Sequence, residues 1–136
     1  MSYFEHERLD VYKAAKEFAI AMDGTAEGIR NRRAHLADQL FRASSSVLLN
    51  IAEGAGEQSR AEKSRFYRIA RRSATECASI LELCRDLCLI EEGCYLQQRD
   101  LLLRVVAMLT KMVCGTTYVA RNTDMRNRTS VTCCEQ

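Results

Sequence analysis

From Leu9 onward, apolar side chains recur at three- and four-residue steps through Tyr12, Ala15, Ala19 and Met22, with Val11 and Phe18 widening the stripe. An α-helix turns once in about 3.6 residues, so this spacing gathers them on one face and predicts a short amphipathic helix closed by Asp23-Gly24. The polar stretch from Gly24 to Arg33, ending in Arg30, Arg32 and Arg33, reads as a loop. A second helix is predicted from about Ala34 into Glu53. Its seam is Leu36, Leu40, Ala43, Val47, Asn50 and Gly54, flanked by Phe41, Ser44, Leu48 and Ile51, and Gly54 with Gly56 marks its stop. Ser59 followed by Glu62 has the spacing of a capping box and opens the third helix. The inward seam there reads Phe66, Ile69, Ser73, Cys77, Ile80, Cys84 and Leu87, ending near Leu89 to Gly93. A fourth helix carries Leu102, Val105, Leu109, Met112, Thr116 and Val119 and runs to about Arg121. Asn122 to Gln136 has no periodicity and is expected to be a frayed polar tail, so the folded domain is placed at 1–121 and the tail at 122–136.

Helices of this length on short connections pack as antiparallel neighbours, which predicts an all-α, up-down-up-down four-helix bundle. Composition removes the rivals. Proline is absent and glycine numbers only 6 in 136 residues, which argues against sandwiches, barrels and Pro-rich linkers. With 47% hydrophobic and 28% charged residues, wholesale disorder is excluded as well. Small residues crowd several seams, namely Ala43, Ser44, Ser45, Ser46, Ser73 and Ala74, while Phe41, Leu48, Leu49 and Tyr67 fall partly outside any single one. An isolated bundle would leave that bulk wet, so a homo-oligomer is expected.

Net charge is only +2, so any affinity for nucleic acid must come from the distribution of charge. Met1 to Leu9 holds no apolar run, which predicts no secretory signal. Leu101 to Ala120 has the length of a membrane span but carries Arg104 and Lys111, so a bundle helix is expected and no membrane association. Seven cysteines without a secretion signal read as reduced thiols in the cytoplasm.

Asn50-Ile51-Ala52-Glu53-Gly54, preceded by Arg42-Ala43 and Ser46-Val47 and followed by Phe66, Ile69-Ala70-Arg71, Ser73 and Glu76, resembles the family named after the protein encoded in intervening sequences of bacterial 23S ribosomal RNA genes. The opening Leu9-Asp10-Val11-Tyr12-Lys13-Ala14-Ala15 is similar too. The resemblance implies four-helix bundles that assemble into pentameric rings. It also implies kinship with an accessory protein of diversity-generating retroelements that binds a reverse transcriptase and nucleic acid. The chain departs from the family pattern at Phe41, where a basic residue is usual, at Leu48, where Pro is common, and at Arg72, which replaces a Gly. Surface charge is thereby displaced.

Arg60, Lys63, Arg65, Arg68, Arg71 and Arg72 are the leading candidate site, because they are expected on the arc opposite the apolar seam of the third helix. Such an array suits phosphates, since each one neutralised releases counterions, and Tyr67 at its edge could stack on an unpaired base. The competing reading is an ordinary solvated helix face or a set of intersubunit salt bridges. Asn50, Glu53 and Gly54 share one helical face and read as a structural motif in which a buried Asn beside a carboxylate fixes register and Gly54 permits close approach.

No catalytic site, cofactor or metal is expected. Cys77, Cys84 and Cys88 fall on one face, yet there is no Cys-x-x-Cys, and His6 and His35 stand at no ligand spacing. They read as small core hydrophobes, with Cys133 and Cys134 exposed in the tail. Ser44 to Ser46 lack a histidine partner and a nucleophile elbow, and Gly54-Ala55-Gly56 lacks the strand and lysine of a phosphate loop. The reading is a non-enzymatic oligomeric bundle that binds nucleic acid or a nucleic-acid enzyme such as a reverse transcriptase. Its alternatives are a scaffold that recruits a protein partner and, third, a thiol-dependent metal or redox protein.

Overall fold

The computed structural model describes the backbone of residues 2–124 and side chains as far as residue 114. A 3-10 turn at Glu5–Arg8 leads into α1 (Asp10–Ile29), α2 (Ala34–Gly56), α3 (Arg60–Asp86) and α4 (Glu92–Asp124), with no strand among the described residues. Contacts run from each helix to the next and from α1 to α4, which makes a four-sided arrangement joined by short turns. Phe18, Met22 and Ile29 of α1, Leu40, Val47 and Ile51 of α2, Leu81 of α3, and Val105 and Leu109 of α4 fill its centre. Burying each of these side chains is worth about 1.5–3 kcal/mol.

The first helix is longer than its glycines suggest. It runs through Gly24 and Gly28 to Ile29, so most of the expected loop is helical and only 30–33 connects α1 to α2. The reason lies in the seam: Ala26 and Ile29 prolong the row begun by Phe18 and Met22, and both are buried. A glycine in a helix interior costs about 1 kcal/mol against alanine, less than the burial of Ile29 returns. In the remaining turn Arg30 bonds Glu27 at 2.9 Å and Asp38 at 2.6 Å, and this pairing holds the Asp38 carboxyl below its usual range. Arg32 donates from Nη2 to the carbonyl of Leu89 at 3.1 Å, linking this turn to the one between α3 and α4.

The third helix begins as expected, with the Ser59 hydroxyl accepting from the Glu62 amide at 3.4 Å, but its first half is rotated relative to the expected seam. Tyr67, Ala70 and Ala74 are buried, while Phe66, Ile69 and Ser73 are half-buried at the flank. Both rows have three-four spacing and converge on Cys77. The row containing two alanines wins because it lets α2 and α3 approach closely, with Tyr67 lying over Gly54. Leu87, expected inside, is exposed.

The helix ends in a Schellman motif. Cys88 adopts φ 57°, the Leu89 amide donates to Cys84 O at 2.8 Å, and the Cys88 amide donates to Arg85 O at 2.9 Å.

In α4, Leu102, Val105 and Leu109 are buried and Met112 is half-buried, while Thr116 and Val119 lie outside the described side chains. Arg104 and Lys111 are exposed, and among the described residues no helix is long and apolar enough to cross a membrane. Cys133, Cys134 and the greater part of the expected tail lie outside the described residues.

Candidate nucleic-acid interface

Rotation of α3 divides the six basic residues. Lys63 is half-buried, and its ammonium donates to the carbonyls of Gly54 at 3.1 Å and Ala55 at 2.8 Å. It thereby caps the C-terminal end of α2, where carbonyls lack partners and a cation is favoured. Arg71 is half-buried on the flank. Arg60, Arg65, Arg68 and Arg72 are exposed. At about 100° per residue, Arg65, Arg68 and Arg72 fall within roughly 60° of one another on the outer face of α3.

Their partners differ. Arg65 donates to Glu62 at 3.1 Å from Nε and lies 3.0 Å from the same carboxylate through Nη2, while its guanidinium stands 4.5 Å from the centre of the Phe66 ring. Among the described residues, Arg60, Arg68, Arg71 and Arg72 make no ion pair. Arg65 apart, the outer face therefore offers cations that no carboxylate among the described residues neutralises. Tyr67 is not at their edge. It is 4% exposed, packed against Gly54, with burial raising its phenol pKa, so it cannot stack on a base.

Asn50, Glu53 and Gly54 separate as well. Asn50 is half-buried and donates from Nδ2 to Ser46 O at 2.8 Å and Ser46 Oγ at 3.1 Å. Ser46 Oγ in turn lies 2.9 Å from Ser73 Oγ, so this small network pins α2 to α3. Glu53 is exposed and takes no part in it, and Gly54 serves as a hollow within the helix rather than its last residue. Asn50, through Ser46, and Gly54 thus both sit where α2 meets α3, and Glu53 does not join them.

The thiols do not converge either. Cys77 and Cys84 are buried, and burial pushes the Cys77 thiol up to about 12 and raises that of Cys84. Cys88 lies beyond the helix end and is exposed, off the face the other two share. No group of three or more potential metal ligands gathers among the described residues.

Two surface hollows escape the sequence reading because each is shared between helices distant in the chain or lined by their outer flanks. One, of about 490 Å³, lies between α1 and α4 over Asp10, Lys13, Glu17 and Arg104, whose charges balance. The other, of about 270 Å³, is an apolar cleft between α3 and α4.

A family model for the 23S rRNA-intervening sequence protein matches residues 7–111. The chain belongs to that family. No curated protein matches the sequence of this 23S rRNA-intervening sequence family member significantly. Among solved structures, the chain is similar to a protein with unknown function from the S23 ribosomal protein family of Bacteroides thetaiotaomicron. The two are 24% identical, with a TM-score of 0.72, over 76% of this chain and 97% of the other. That likeness concerns the fold.

Proposed function

We propose that this member of the 23S rRNA-intervening sequence protein family is a non-enzymatic, homo-oligomeric bundle of the cytoplasm. In this reading it binds RNA or DNA, or an enzyme acting on them such as a reverse transcriptase, through the outer arginines of α3. The observation that carries the proposal is Arg68 and Arg72 standing beside Arg65 on one exposed arc without an ion pair of their own among the described residues. Their long cationic side chains suit phosphate oxygens and read no base edges, so binding is backbone-driven and weakly selective for sequence. Repetition of the arc around an assembly multiplies its field, and five copies is the number the family resemblance implies.

The test replaces Arg65, Arg68 and Arg72 together by Ala and titrates salt against RNA and DNA of unrelated sequence. Affinity should fall for all probes about equally, and the slope of log affinity on log salt should flatten by about 0.9 for each phosphate that the variant no longer neutralises. Unchanged binding by a normally assembled variant clears this face of the role. A second reading, a scaffold that recruits a protein without nucleic acid, is favoured by the exposed Phe41, Leu49 and Leu103. It moves ahead if the triple variant dissociates.

A further inference from the structure

Charge along α3 is sorted by sign. From Arg60 to Arg72 there are five arginines and Lys63 against the single carboxylate of Glu62. From Ser73 to Asp86 the order reverses, with Glu76, Glu82 and Asp86 against Arg85 alone. Arg85 is half-buried, pairs with Asp86 at 3.0 Å and stands 4.3 Å from the centre of the Tyr95 ring. The two runs share one outward side: Arg65, Arg68, Arg72, Glu76, Glu82 and Asp86 are all exposed, and Asp86 lies about five full turns below Arg68 on the same azimuth. Folding does not call for this order. On a helix, like charges three or four residues apart repel and opposite charges attract. Sorting sets Arg68 beside Arg65, Arg71 and Arg72, and Glu82 beside Asp86, where an alternating order would have made ion pairs. The helix is less stable for it, which points to a use for the sorted face.

We infer that nucleic acid crosses α3 over its N-terminal half and that Glu76 and Glu82 mark the boundary it does not pass. This rests on the nucleic-acid reading proposed above and specifies how the polyanion lies. Glu76 follows Arg72 by one turn, about 6 Å along the axis. Neither it nor Glu82 makes an ion pair among the described residues. The separation is inside the screening length of about 8 Å at physiological salt, so a phosphate moved past Arg72 meets negative charge. A duplex laid along the whole of α3 gains at the first turns and loses at the rest, whereas one laid across keeps every favourable contact. Asp86, Glu91 and Glu92 carry the negative charge around the turn into α4 and close the same end to phosphate.

The experiment moves the boundary. Glu76→Lys with Glu82→Lys continues the cationic face. Glu17→Lys with Asp23→Lys makes the same change of net charge on α1, which contacts α2 and α4 and lies across the bundle from α3. All four side chains are exposed, so helicity by circular dichroism and mass by light scattering should match the parent. Against a DNA duplex several helical turns long, the α3 variant should bind about tenfold more tightly, with a salt slope steeper by about 0.9 for each added phosphate. The α1 variant should stay within about twofold of the parent, since its charges lie beyond the screening length from the α3 face. Equal tightening by both variants assigns the effect to net charge and overturns the boundary. No tightening by the α3 variant overturns it as well, while a loss on replacing Arg65, Arg68 and Arg72 still upholds the wider reading. A parent that binds neither RNA nor DNA overturns both. Should the lysine variant lose helicity or the parental mass, Glu76→Gln with Glu82→Gln removes the repulsion alone and should tighten binding about threefold. Unchanged affinity in that variant counts against the boundary.

Discussion

The ring of Tyr67 occupies the space that a side chain on Gly54 would need: a Cβ built there falls 2.7 Å from Cε1 and 2.9 Å from Cδ1. The same Cβ would lie 3.1 Å from that of Phe66, so two successive residues of α3 close over this hollow in α2. Gly54→Ala should therefore destabilise the protein by about 1–3 kcal/mol, even though alanine is the better helix former. Chemical denaturation measures the cost. In a double-mutant cycle with Tyr67→Ala most of it should vanish, and additive losses would show that the two residues do not share the strain.

Cys88 holds a backbone conformation that side chains with a Cβ avoid, at the position of the Schellman motif where glycine is commonest. Cys88→Gly should raise stability by about 1 kcal/mol, read as a higher denaturant midpoint at unchanged slope. A fall in the midpoint would mean that the thiol makes an interaction worth more than the strain.

Exposure separates the thiols. In the native protein Cys88 should alkylate quickly while Cys77 and Cys84 resist until the protein unfolds. Stability should also depend on alkaline pH. The folded Cys77 thiol keeps its proton to about 12, above the ordinary thiol range, so its contribution is whole below that range and declines as pH climbs toward 12. Cys84 and Tyr67 are shifted in the same direction and add to the decline. Cys77→Ala should make the fall between about pH 9 and 12 shallower, which unfolding midpoints across that window would register.

Lys63 belongs to the frame and not to the outer arginine face. Lys63→Met removes the donor to Gly54 O and Ala55 O and should cost about 1 kcal/mol, with faster amide exchange in the last turn of α2. Its effect on nucleic-acid affinity should be small beside that of the triple arginine variant. The reverse ranking would return Lys63 to the binding surface.

Much of this fold is legible in the amino-acid sequence, and the misreadings share a cause. The Ser59 cap and the Leu102, Val105 and Leu109 part of the α4 seam follow from local chemistry, because caps and periodic stripes act within a few residues. The end of α1 does not, since Gly24 resembles a stop until Ile29, more than a turn further on, is seen to be buried. The rotation of α3 is illegible for a similar reason. Phe66, Ile69 and Ser73 are as periodic as Tyr67, Ala70 and Ala74, and only the hollow at Gly54 on another helix selects between them. That selection also reassigns Lys63 and Tyr67, so the basic face can be located by sequence but its membership cannot.

The bond from Arg32 to the Leu89 carbonyl spans 57 residues of chain, whereas most helix contacts join neighbours in sequence. In kinetic terms this places it at the close of folding. The α1–α2 and α3–α4 hairpins can form early from local contacts, and a bond between their turns must wait until both are built. Removing it with Arg32→Ala should leave the refolding rate nearly unchanged and speed unfolding instead, as expected for an interaction absent from the transition state. Arg32 would then govern how long the folded bundle survives once formed, more than how readily it forms.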